Sequence, residues 1–463
     1  MPTTPTAGRT LALLALAQLI VSLDYNIVYV ALPDIGASLG FSAPHLQWVV
    51  SAYAVAFGGF LLLGGRACDL LGRRRTFRTG LTAYALSSAL GALADQQGAL
   101  LAARAAQGLG GALLFPATLA LVATGFAEGR ERNRAMSVWA ATGASGLVVG
   151  SLTGGLLTQL LGWQAVFWVN VPLAGTAVLL AGRLLPADGP RRTDRAFDLP
   201  GALTGTSGTT LLVLALSQSA DPNGSLTPVL LLAAVGTALL AAFALRQRRA
   251  RDPLLPPRLL RHPALAAGTA TAFLFMAGFG SLFYFLTVYF QHVRHYDALR
   301  TGLAFLAPMA CCFAGSVLGG RLTTRYGTRT TLLGALLLGG LGVAATAAAV
   351  SPTGGYPALL PGLVAFGLGQ GVVFTVMFAA SSTGIAPQDQ GVAAGIVSTG
   401  QQVGGAVGLA VLVALARTAP GADTAAVTAG LRTALFAVVA GVALMLLVAR
   451  AFDRPARTTP GLA

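Results

Sequence analysis

Gly65-Arg66-Ala67-Cys68-Asp69-Leu70-Leu71-Gly72-Arg73-Arg74-Arg75 stands between two long apolar stretches, residues 44–65 and 77–95. One carboxylate, two glycines and four arginines fall within eleven positions of an otherwise oily chain. Such a cluster suits a tight turn at a water boundary, with its charge held against a helix end.

Outward from that turn, the chain reads as a membrane protein. Of its 463 residues 55% are hydrophobic and only 10% charged, with mean hydropathy +0.73. Soluble globular chains carry about 25% charged residues, so this one lacks the polar surface for a soluble fold. The net charge of +15 does not mark a nucleic-acid binder, because the arginines sit in short loops between apolar stretches. There is no lysine, and Ala and Gly abound, which fits a GC-rich bacterial coding bias. Cys68, Cys311 and Cys312 offer neither a disulfide framework nor metal spacing. The first apolar stretch is too long for a signal-peptide core and reads as a retained span.

A span needs roughly 20 apolar residues. Fourteen stretches qualify: 11–33, 44–65, 77–95, 99–125, 136–159, 164–184, 199–218, 226–246, 264–291, 301–320, 331–350, 357–380, 391–416 and 430–450. An even number puts both termini on one side. With that side taken as inside, inner segments hold 25 arginines and outer segments 4, with Arg104 inside a span. The positive-inside bias then makes both termini cytoplasmic. A shift of 255 residues places Gly65, Arg66, Gly72 and Arg74 on Gly320, Arg321, Gly327 and Arg329, while Asp69 becomes Thr324. The first set follows span 2 and the second follows span 10, so two six-span halves flank an insert of spans 7 and 8. The predicted domains are 1–184, a linker with two extra helices over 185–263, and 264–463. Halves repeated in this way are a transporter architecture.

Of thirteen aspartates one lies well within a span, Asp24, and the two glutamates, Glu128 and Glu131, share a loop. An ionised carboxylate in the bilayer core costs about 2.5–3.5 kcal/mol on insertion scales. Asp24 therefore reads as a proton and cation site, against the plainer alternative of a polar residue that stabilises helix packing. Arg104, the one arginine deep in a span, is expected either to couple with Asp24, directly or through water, or to bond backbone carbonyls and neighbours such as Gln107. Gly143, Gly146, Gly150 and Gly154 line one helical face, which Gly155 extends, and permit close helix approach. Tyr25, Asn26, Tyr29, Tyr53, Gln107, Trp139, Asn170, Tyr284 and Gln370 are candidates to line a cavity for lipophilic or cationic molecules. For each, helix packing or interfacial anchoring is an equal alternative. No nucleotide loop, metal set or cofactor site is evident.

These residues carry a family resemblance. Gly65 to Arg75 resembles the loop 2–3 motif of the major facilitator superfamily. Asp24 with Ala31-Leu32-Pro33 is similar to the span 1 motif of its drug:proton antiporters, and Arg104 to Ala112 with Pro116 to their span 4 motif. Trp163 to Pro172 is similar to a signature of the fourteen-span, EmrB/QacA-like branch. The resemblance implies an all-α integral membrane protein of the major facilitator fold, with two six-helix bundles plus two inserted linker helices. It implies alternating access and a non-enzymatic drug or antibiotic exporter driven by protons, without cofactor, in a bacterial plasma membrane. Its partners would be small lipophilic or cationic molecules, protons and lipid, with no nucleic acid, and it would act as a monomer. Alternatives are an exporter of one endogenous metabolite and a non-transporting membrane sensor. By the same resemblance Asp24 and Arg104 couple protons. Gly65, Arg66, Asp69, Gly72, Arg73 and Arg74 form a cytoplasmic gate, with Asp69 held at the N-terminal end of span 13. Gly146, Gly150, Gly154 and Gly155 form the antiporter glycine motif. Two positions depart from the family pattern: Leu70 replaces an arginine, and Ser151 replaces the span 5 proline.

Overall fold

The structure is a computed structural model that describes residues 5–41, 43–46, 48–189, 198–219, 225–250, 253, 255–296, 298–416, 424–450 and 452. Among the described residues there are fourteen long helices and no strand. They are α1 (Pro5–Leu39), α2 (Trp48–Leu71), α3 (Arg73–Ala92), α4 (Gln97–Gly125), α5 (Arg130–Leu161), α6 (Ala165–Leu184), α7 (Leu199–Ser219), α8 (Leu226–Arg249), α9 (Pro263–Val293), α10 (Ala298–Tyr326), α11 (Thr328–Ala349), α12 (Tyr356–Ser381), α13 (Gln390–Ala416) and α14 (Thr424–Ala449). In lipid a helix satisfies its own backbone, which is why an apolar chain of this kind resolves into helices.

Twelve of these helices are long and apolar enough to cross a membrane, against the fourteen spans expected. The two that fall short are α3 and α7. Helix α3 begins Arg73-Arg74-Arg75 with Arg78 one turn on, and it carries Ser87 and Ser88 inward. Helix α7 opens with a run of glycine, serine and threonine. Both pack within the bundle: α3 lies against α4 and α6, and α7 against α8, α2 and α13. Helix α6 is broken at Val169, and α9 contains π turns at Met276–Gly280 and Tyr289–Val293. Pro172 accounts for the first break, because it has no N–H to donate to the turn before it.

The repeat is visible in the turns. Gly72 has φ +102° before α3 and Gly327 has φ +80° before α11, a backbone region that glycine enters without penalty. Each repeat also packs glycine against the opposite group of helices. A Cβ on Gly65 of α2 would lie 2.4 Å from the Gly391 carbonyl oxygen of α13, and one on Gly320 of α10 would lie 2.3 Å from the Asn133 carbonyl oxygen of α5. Thus α2 crosses closely on α13, and α10 on α5.

Further contacts tie α1–α6 to α9–α14 at the arginine-rich face, where α2 and α10 end. Asn133 Nδ2 donates to Thr324 Oγ1 at 3.1 Å, the Gly320 amide to Ser137 Oγ at 2.8 Å, and the Gly384 amide to Glu128 Oε1 at 3.1 Å. Thr324, which stands where the repeat has Asp69, still bonds across the seam. Towards the opposite face Tyr29 and Tyr284 are 49% and 48% exposed. At the arginine-rich face the two groups of helices are thus joined directly.

Candidate functional site

Asp24 lies on α1 with no exposure, and five other elements supply its surroundings. Its Oδ2 is 2.7 Å from Arg104 Nη1, a fully buried ion pair. Its Oδ1 accepts from Gln107 Nε2 at 2.8 Å and from Asn170 Nδ2 at 2.9 Å. Arg104 also donates from Nη1 to Gln107 Oε1 at 2.7 Å and from Nε to the Val49 carbonyl at 2.9 Å. Gln107 Nε2 reaches Ser88 Oγ at 2.8 Å. The guanidinium carbon stands 4.6 Å from the centre of the Tyr53 ring and 5.9 Å from that of Phe167.

Local sequence explains how the pieces meet. Arg104 and Gln107 are three residues apart on α4, so they share a face. Gly108, one residue on, lets α2 approach until a Cβ there would lie 2.5 Å from the Tyr53 carbonyl. The glycine stripe of α5 packs on α1 beside the acid. Cβ atoms on Gly146, Gly150 and Gly154 would meet Ser22 Cβ at 2.7 Å, the Leu23 carbonyl at 2.5 Å and the Ile27 carbonyl at 2.9 Å. Gly155 is off this face, with its nearest neighbour at 3.8 Å. Helix α5 runs unbroken through position 151.

Both readings of Arg104 hold together, since it pairs with Asp24 and also bonds Gln107 and a backbone carbonyl. A buried pair is tolerated only when such extra bonds satisfy its remaining donors. Gln107 and Asn170, expected to line a cavity, are instead fully buried and bonded to Asp24. Tyr53 and Trp139 are buried in a chain of rings. Tyr53 stacks on Phe57 at 5.7 Å, Phe57 meets Phe115 at 5.8 Å, and Phe115 meets Trp139 at 5.4 Å. Trp139 then crosses between the helix groups to Phe374 at 6.0 Å and Phe378 at 5.3 Å. Gln370 lies one turn from Phe374 and is 9% exposed, Asn26 is half-buried, and Tyr29 and Tyr284 are the open candidates. The side chain of Tyr25 lies outside those described.

The second cluster surrounds the opening motif. Asp69 accepts from the Gly391 and Val392 amides at 2.9 and 2.8 Å, at the start of α13, where unpaired N–H groups and the helix dipole favour an anion. Arg73 donates to Thr124 Oγ1 at 3.3 Å and to the Pro387 carbonyl just before α13. Arg66 is buried at 2%. Gly72 supplies the turn, and Arg74 binds the Gly182 carbonyl at the end of α6. Sequence reasoning missed several partners. Asp188 caps α3, accepting from the Arg74 and Arg75 amides at 3.0 and 2.8 Å. Asp389 is held by Arg258 through both oxygens at 3.0 Å. Ser88 and the Val49 carbonyl complete the Asp24 site. A serine in a span and an aspartate in a Pro-rich linker carry no local signal of these roles.

The chain matches the family model described as the Major Facilitator Superfamily over residues 14–409, and again over 272–462. It is 42% identical over 407 residues to the puromycin resistance protein pur8 of Streptomyces alboniger, covering 87% of this chain and 80% of that one. It is 36% identical to the cephamycin export protein CmcT of Amycolatopsis lactamdurans, covering 96% and 91%. The crystal structure of the human organic anion transporter MFSD10 shares the fold, with TM-score 0.72 at 18% identity over 96% of this chain and all of that one. With a family model covering most of its length and a relative this similar along it, the chain belongs to the major facilitator superfamily, and is a multi-pass membrane transporter rather than an enzyme.

Proposed function

We propose that the protein is a proton-driven drug or antibiotic exporter of the fourteen-span, EmrB/QacA-like branch, with Asp24 as its proton acceptor and Arg104 as the coupled cation. The observation that carries this reading is the sealed Asp24–Arg104 pair, 0% and 2% exposed, inside a transporter whose relatives are named for antibiotic resistance or export. A carboxylate in that setting is stable only beside its cation, so protonation breaks the electrical balance of the site and favours another arrangement of α1 and α4. Gly146, Gly150 and Gly154 let α5 ride directly on α1 at that level, which links the site to a helix that also contacts α10 and α12 across the seam.

In this reading all fourteen long helices cross the membrane as two bundles, 1–184 and 264–463, around a linker of 185–263. The arginine-rich face is cytoplasmic with both termini, in a bacterial plasma membrane, and the protein works as a monomer. Gly65, Arg66, Asp69, Gly72, Arg73 and Arg74 are the cytoplasmic gate, shut when Asp69 caps α13. Cargo consists of small lipophilic or cationic molecules that enter between the bundles. The buried Trp139 Nε1 and Gln370 Oε1 have no hydrogen-bond partner among the described residues, which leaves polar anchors beside aromatic walls.

The test is transport in proteoliposomes with an imposed pH gradient. Uphill movement of a cationic dye, abolished by an uncoupler and by Asp24→Asn, is expected. Movement by Asp24→Asn with unchanged pH dependence rejects Asp24 as the coupling site. Export of a single endogenous antibiotic is the second reading, favoured by relatives named for one compound each. Protection of a sensitive host against one member of a toxin panel, and no other, selects it.

A further inference from the structure

Asn170 donates one N–H to Asp24 and leaves its own carbonyl oxygen buried with no hydrogen-bond partner among the described residues. The residue has no exposed surface. A buried amide oxygen without a donor is costly, about 1–3 kcal/mol elsewhere, so its retention beside the lone deep acid calls for a reason.

The two amides that face Asp24 Oδ1 are not equivalent. Gln107 is locked, because its Oε1 accepts from Arg104 while its Nε2 serves both Asp24 and Ser88. Turning it over would set an NH2 group against a guanidinium and a carbonyl oxygen against the carboxylate, losing the bonds to Arg104 and Asp24. Asn170 is free to turn. In either orientation one of its polar atoms meets Asp24 while the other takes a place with no hydrogen-bond partner among the described residues, so the charge on Asp24 decides between them.

Resting on the reading of Asp24 as the proton site, we propose that Asn170 is a two-state amide that follows the protonation of Asp24. The ionised carboxylate has only acceptors and takes the Nδ2–H of Asn170. When a proton arrives from solvent water it bonds to Oδ1, since Oδ2 is held by the guanidinium. The carboxylate becomes a neutral acid with an O–H that needs an acceptor. Asn170 turns half a revolution about its Cβ–Cγ bond and offers Oδ1. One N–H···O contact is exchanged for one O–H···O contact, while the Arg104–Asp24 contact loses its ionic character. Arg104 keeps Gln107 and the Val49 carbonyl. Asn170 is thus a positioning residue, and it keeps the acid hydrogen-bonded in both of its charge states. The other charged or titratable groups around the site are Arg104 of α4, Tyr53 of α2 and Tyr84 of α3. The face of α5 that packs there presents glycine.

The experiment is pH-difference infrared spectroscopy of the full-length protein in proteoliposomes, with the Asp24 band identified by its loss in Asp24→Asn. In wild type the protonated acid should show the lowered C=O stretch of a carboxyl that donates a hydrogen bond. In Asn170→Leu, similar in size but without polar atoms, that band should rise. A wild-type band at the position of an acid that donates to nothing overturns the proposal, a result that does not depend on how the variant folds, and so does a band that stays in place in folded Asn170→Leu. A titrating Asp24 without the amide signature overturns this inference alone. An Asp24 that does not titrate at all removes the proton-site reading and this inference with it.

Discussion

Asp69→Asn is the substitution whose outcome the geometry constrains most tightly. The carboxylate receives two amide N–H groups, at 2.9 and 2.8 Å, from the first turn of α13. Asparagine keeps one acceptor oxygen and turns its NH2 towards the other amide, so one charge-assisted bond is lost. Such a bond is worth about 1.5–3 kcal/mol. The charge on the helix N-terminus adds about 0.3–1 kcal/mol. Part of this is returned, because a neutral amide costs less to bury than a carboxylate. A net loss of about 2 kcal/mol shifts the ratio of closed to open bundles at the arginine-rich face by about 30-fold. Expression and melting should stay close to wild type, because the lost contact joins two bundles and not the interior of either. Spin labels on exposed Glu131 and Thr330, in a protein freed of Cys68, Cys311 and Cys312, report the separation of the two groups at this face. Pulsed dipolar spectroscopy should show the short-distance population reduced by that factor, and transport should weaken. A distance distribution identical to wild type, with the variant folded, would mean that Asp69 is not what holds this face shut.

Asp24→Asn leaves Arg104 buried without its counter-charge, which costs about 3–5 kcal/mol. Its melting temperature should fall clearly, and Asp24→Asn with Arg104→Gln should recover part of the loss; a double variant no better than the single would show that the pair is not coupled. Gly150→Ala puts a methyl 2.5 Å from the Leu23 carbonyl, whereas Gly155→Ala meets nothing closer than 3.8 Å. The first should destabilise by about 1–3 kcal/mol and the second by under about 0.5 kcal/mol in thermal melts, and equal effects would remove α5–α1 contact as the role of the stripe. Burial works against ionisation of Asp198, just before α7, but hydrogen bonds from Arg246, the Gly201 amide and Gln247 outweigh it and hold the carboxyl below the ordinary 3.8. The stability this contributes is present above the unfolded carboxylate value and is lost as pH falls through the lowered folded one. Protection of the α7–α8 hairpin amides, taken relative to the intrinsic exchange rate at each pH, should therefore fall in acid, and in Asp198→Asn it should already be lower at neutral pH; an acid response that survives in Asp198→Asn places its origin elsewhere.

Much of this protein is written in its one-dimensional pattern. Apolar runs mark where the long helices lie, because the bilayer demands about 20 such residues per crossing, although α3 and α7 are not apolar enough to count as crossings. The 255-residue shift between Gly65-Arg66 and Gly320-Arg321 marks the repeated glycine turns that follow α2 and α10. Asp24 and Arg104 stand out by their cost in oil. Partnership is another matter. In a soluble helix the apolar face tells which side is buried, but here lipid and neighbouring helix are equally apolar, so hydrophobic pattern does not say what each face meets. Lateral packing alone brings Asn170 and Ser88, 146 and 64 positions from Asp24, to one acid and its glutamine. The same packing sends Trp139 across the seam to Phe374, seats Asp188 on the start of α3, and gives Thr324, the repeat-mate of Asp69, its bond from Asn133. Residue chemistry marks which side chains are too expensive to be idle, and only the arrangement of helices, set by close glycine contacts far apart in the chain, decides what each of them holds.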